Sequence, residues 1–78
     1  MLKYILERET DNEMVYRYFP EGKSESGLVS YDKNTGELSV IELAPGELFR
    51  TYALKMFYKI RTFINNGVFR QSGIVAWY

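Results

Sequence analysis

Residues 47–67 read ELFRTYALKMFYKIRTFINNG, and this stretch decides the fold. Leu48, Phe49, Tyr52, Ala53, Met56, Phe57, Ile60, Phe63 and Ile64 recur at spacings of one, three and four. At about 3.6 residues per turn these positions share one face, a series that no alternating strand generates. The spacing predicts an amphipathic helix over 47–66. Phe49, Ala53, Met56, Phe57, Ile60 and Ile64 should form the centre of a core, with Tyr52 and Phe63 at its margin. Pro45 suits a first helical turn and Glu47 complements the positive end of the dipole, although no Ser, Thr, Asp or Asn caps the start. At the other end Asn66, Gly67 and Val68 fit a Schellman-type stop, with Gly67 left-handed and Val68 folding back onto Phe63.

Upstream of the helix the pattern shortens to strand-like runs. Residues 2–9 and 13–19 are rich in Leu, Ile, Val and Tyr and flank the polar turn Thr10-Asp11-Asn12, a hairpin pattern. Pro20 closes the second run because it has no N–H for the ladder. A loop of Gly, Ser and charge follows. Residues 27–32 and 37–44 then flank Lys33-Asn34-Thr35-Gly36, where Asp32 starts a turn that Gly36 ends at positive φ. Downstream of the helix, Ser72 and Gly73 lead into a fifth strand over 74–78.

The order is therefore ββββαβ, an α+β class with a mainly antiparallel five-stranded sheet. If the first four strands form a meander, the helix returns the chain across the sheet. The fifth strand then pairs beside the first, giving the order 5-1-2-3-4. A helix of about 20 residues spans roughly 30 Å, enough to cover one face. One domain, 1–78, is expected.

Composition narrows the chemistry. The chain has no histidine and no cysteine. That removes the commonest general base, the thiolate metal sites, disulfides and the Ser-His and Cys-His nucleophile arrangements. Gly22-Lys23-Ser24 is like the tail of a phosphate loop, but Arg17 stands where the first Gly is required and the segment joins two strands. Glu7, Glu9, Asp11 and Glu13 alternate and would crowd one side of the first hairpin; their spacing matches no cation-binding loop and suits a solvated hairpin end. No catalytic set assembles and no cofactor is implied, so an enzyme ranks third among the functional readings. No signal-peptide core or apolar run of membrane-spanning length occurs, which makes a cytoplasmic location the expectation.

Charge is strongly polarised. Up to Glu47 the chain carries ten acids against five bases, net −5; beyond it lie five bases and no acid, net +5. On the helix, Arg50, Leu54, Tyr58 and Arg61 fall at i, i+4, i+8 and i+11, within roughly 80° of one another and away from the apolar face. Lys55 and Lys59 border the apolar stripe. An aliphatic and an aromatic side chain within a cationic face suit a protein partner, since Tyr and Arg are enriched among residues that dominate interfaces. The competing account has the acids of the first half neutralising the basic helix within the chain.

A second candidate surface is the sheet face opposite the helix. One helix covers one face, so surplus aromatics are expected on the other, buried most simply in a homodimer. These features favour a non-catalytic protein-interaction or regulatory module. Nucleic-acid binding through the basic helix face is the alternative, weakened by a formal net charge of zero.

Overall fold

The structure, a computed structural model, describes residues 1–47 and 49–76. Leu48, predicted on the apolar face, and Trp77 and Tyr78, predicted in the last strand, lie outside the described residues. Five strands and a helix follow in the order β1 (Leu2–Glu9), β2 (Glu13–Pro20), β3 (Gly27–Asp32), β4 (Leu38–Glu42), α1 (Thr51–Asn66) and β5 (Ser72–Val75). The strands form one antiparallel sheet, β4-β3-β2-β1-β5, with α1 packed on one face. This is the expected ββββαβ topology. The fifth strand starts two residues earlier than predicted, because Gly73 sits inside it as the partner of Tyr4.

Local chemistry explains the turns. The Asp32 carboxylate accepts from the N–H groups of Asn34 and Thr35, and Gly36, at φ 78°, returns its N–H to the Asp32 carbonyl. A carboxylate that satisfies two turn amides fixes this hairpin. In the first hairpin, Thr10 Oγ1 accepts from Asn12 and Glu13 in the same way.

The core lies between the sheet and α1. Leu2, Tyr4, Met14, Tyr16, Tyr18 and Val29 are buried on the sheet side, against Ala53, Met56, Ile60 and Phe63 of the helix. The Tyr4, Tyr16 and Phe63 rings meet with centroids 5.8–6.0 Å apart, an edge and tilted arrangement suited to the ring quadrupole. Tyr4 and Tyr18 reach sideways over the neighbouring strands, onto their cross-strand partners Gly73 and Gly27. A Cβ at either glycine would stand 2.6 Å or less from a tyrosine atom, so only glycine leaves room for the ring. Two bulky phenols thus fit under a single helix.

The helix differs from its predicted extent and centre. It begins at Thr51, not residue 47, after a Pro45-Gly46 turn in which Gly46 has φ 83°. Phe49 therefore precedes the helix and is 81% exposed, and Ile64 is exposed also, while Phe63, expected at the margin, is buried. Phe57 is half-buried. Glu47 does complement the helix start, but from outside: its Oε2 accepts from Ala53 N–H at 2.9 Å. At the far end Gly67, at φ 74°, donates to the carbonyls of Phe63 and Ile64. Val68 points to solvent, and Phe69 instead returns to Phe63 and stacks on Tyr31.

Burial raises the phenol pKa of Tyr4, Tyr16 and Tyr18; for Tyr18 the hydrogen bond to Glu47 adds to it. Below the ordinary tyrosine value of about 10 both folded and unfolded chains keep these protons. Above it the unfolded chain releases them first, so stability is lost as pH rises from about 10. In an absorbance titration near 295 nm, these phenols should ionise only as the near-UV circular dichroism collapses. Ionisation of every tyrosine near pH 10 with that signal intact would contradict the burial.

Candidate interaction surface

Charge and exposure separate the two faces of α1. Ala53, Met56, Ile60 and Phe63 face the sheet, and Leu54, Tyr58 and Arg61 face outward. Leu54 is 54% exposed and Tyr58 is 73% exposed. Together with Thr51 and Lys55 they line a shallow groove on the helix surface. Arg50 sits at the N-cap, where its carbonyl accepts from Leu54 N–H at 2.8 Å. The stripe read from the sequence is thus brought together on one exposed side, with Arg50 just ahead of the helix proper.

Arg50 also holds a left-handed backbone, φ 58° and ψ 22°. A side chain there costs on the order of 1–2 kcal/mol relative to a right-handed conformation. Phe49, next to it, fits the core by its spacing but is the most exposed large apolar side chain described. The sequence signal that separates it from the core is the turn chemistry of Pro45-Gly46, which delays the helix and removes Phe49 from the helical face.

The ion pairs bear on the charge asymmetry. Met1 pairs with Glu21, Arg8 with Glu13, Arg17 with Glu7 and Lys33 with Glu9, all within residues 1–33. Arg50 and Arg61 form no ion pair among the described residues. Lys59 lies 5.7 Å above the Phe63 ring, bordering the core stripe as its spacing implied. Two acids bond to neutral groups of the helix region: Glu21, besides its pair with Met1, accepts from Tyr52 O–H, and Glu47 accepts from Tyr18 O–H and Ala53 N–H. Neutralisation of the two stripe arginines by the acidic half is therefore not how this fold uses its carboxylates.

The same pairs disperse the acids of the first hairpin. A register shift between Leu6 and Arg8 makes Glu7 the extra residue of a bulge, so the run no longer alternates on one side. Arg17 holds the Glu7 carboxyl below its ordinary range through a two-pronged hydrogen bond. Among the described residues no three carboxylates gather where a metal ion could be held.

The open face of the sheet also departs from expectation. Tyr4, Tyr16, Tyr18 and Tyr31 all turn toward the helix, leaving Phe19 as the one described aromatic whose strand position faces away. Val15 on that face is nonetheless buried, with Arg8 and Ser30 as its cross-strand partners. Among the described residues no aromatic stacking platform for single-stranded nucleic acid forms there. Among the described residues, the tyrosines of β1, β2 and β3 lie on the helix side.

No family model, no curated protein and no solved structure matches this chain.

Proposed function

We propose that this chain is a small non-catalytic protein-interaction module, that its docking surface is the outer side of α1, and that its partner presents an acidic groove with an apolar floor. The observation that carries this reading is the exposure of Leu54 and Tyr58 beside two arginines that form no ion pair among the described residues. Burying an aliphatic and an aromatic side chain supplies the affinity, at about 1.5–3 kcal/mol for each fully buried side chain. Arginines at the rim select an acidic partner and speed encounter. Strain at Arg50 supports the same surface, since a left-handed arginine persists where glycine would be easier.

A test separates this reading from its rivals. Tyr58→Ala combined with Leu54→Ser should leave unfolding free energy within about 1 kcal/mol of the parent, because neither side chain is buried. The same double variant should lose a protein that the parent captures from native lysate, and Arg61→Glu should weaken that capture at low salt while making it less sensitive to added salt than the parent's. Capture that survives in the double variant would refute the surface. Capture that disappears on nuclease treatment would instead favour nucleic acid bound through the basic face.

A further inference from the structure

The two edges of the sheet are built differently. At β4 the ladder with β3 is interrupted between Leu28 and Val29, and Glu37 and Glu42 flank the apolar residues. A bulge and flanking charges are the usual means of discouraging edge-to-edge pairing. β5 has none of these: Ser72–Val75 contains no charge and no proline, and it runs beside β1 without a register shift.

The direction of its backbone groups follows from one bond. Leu6 N–H donates to Gln71 C=O at 2.6 Å, which makes Leu6 and Gln71 a hydrogen-bonded pair at the end of the ladder. Antiparallel ladders alternate, so Gly73 and Val75 also turn their N–H and C=O toward β1. Ser72 and Ile74 turn theirs away, and among the described residues no strand lies beyond β5 to meet them. On the open face Ile74 is 56% exposed, and Ile5 is 46% exposed on the adjoining strand.

We propose that β5 is a self-pairing edge: two copies of this chain join β5 to β5, antiparallel, about a two-fold axis at Ile74, and their sheets become continuous. In this register Ile74 opposes Ile74 of the second copy, and Ser72 opposes Ala76. Ser72 and Ile74 turn their backbone groups outward, and with Ala76 continuing the alternation the three positions exchange about six hydrogen bonds across the axis. Both Ile74 side chains fall on the open face and cover one another, with Lys3 directly across β1 from each and Ile5 diagonally beyond. A second copy suits this edge because two-fold pairing sets a strand against itself, where any charge would meet its own sign; β5 is neutral. The edge is distinct from the outer side of α1, so either proposal can fail without the other.

Sedimentation of the full chain over about 10–500 μM tests it, since mass action makes pairing concentration-dependent. The parent should approach twice its 9.2 kDa mass. Ile74→Lys should weaken pairing about tenfold or more by setting like charges together. Ile74→Pro should do the same by removing an outward N–H, which leaves the β1 ladder intact. Circular dichroism should show both variants folded. Because the chain has no cysteine, Ile74→Cys should oxidise to an interchain disulfide and Leu54→Cys should not, which decides the matter if a charge or proline variant fails to fold. A parent that stays monomeric throughout the range overturns the proposal. So do folded Lys and Pro variants that pair like the parent, or cross-linking from position 54 in place of 74.

Discussion

Phe63→Ala should cost about 3–5 kcal/mol of stability, and Phe49→Ala should cost less than about 1 kcal/mol. The two phenylalanines share the same apolar series in the sequence, yet their surroundings are opposite. Phe63 is buried and touches the rings of Tyr4, Tyr16 and Phe69, so truncation opens a cavity bounded by three aromatic side chains that cannot all relax into it. Phe49 is 81% exposed and leaves nothing behind. Urea unfolding of the two variants under identical conditions measures the difference directly. Equal losses would mean that the helix starts earlier and carries Phe49 into the core.

Glu47→Ala should cost about 2–4 kcal/mol, because one carboxylate ties two parts of the fold together. Its Oε1 accepts from the hydroxyl of fully buried Tyr18 at 2.8 Å, and its Oε2 from Ala53 N–H in the first turn of α1. The Tyr18 oxygen in turn accepts from Ala44 N–H at 3.2 Å, so the network also fixes the chain entering the turn before the helix. Glu47→Gln, which keeps one acceptor oxygen, should lose roughly half as much. Losses from Glu47→Ala and Tyr18→Phe should be less than additive, by about 1 kcal/mol, because both variants break the same bond. Strict additivity would show that the two groups do not act as a unit.

These two residues also mark where the sequence was informative and where it was not. Helical periodicity found Ala53, Met56 and Ile60 because a helix repeats regularly and burial follows its face. The same argument misplaced Phe49, since periodicity says nothing about the residue at which a helix begins. The start here depends on Gly46 and Arg50 in left-handed conformations and on a carboxylate three residues ahead of the N-cap. Phe63 became central for a related reason: Tyr4 and Tyr16 come from distant strands, and their meeting with it is a product of register. The glycine positions under Tyr4 and Tyr18 were hidden likewise, because Gly27 and Gly73 read as loop or strand punctuation until their cross-strand partners are known.

The outer stripe of α1 was legible for the opposite reason. Arg50, Leu54, Tyr58 and Arg61 need only helical spacing to share a side, and that side faces away from the sheet. The dimer expected across the open face rested on one helix covering only one face of the sheet, so that bulky side chains must line the other. Among the described residues four tyrosines lie on the helix side and Phe19 alone of the strand aromatics faces the open side, and the β5 edge carries no charge.

The most direct measurement of the central claim places a photo-reactive phenylalanine analogue at Tyr58 in cells producing this chain, with a second copy of the experiment at Ser39 on the opposite sheet face. The account predicts a discrete protein adduct from position 58, absent from position 39 and lost when Leu54→Ser is added. No adduct from position 58, or the same adducts from both positions, would contradict the assignment of the outer side of α1 as the docking surface.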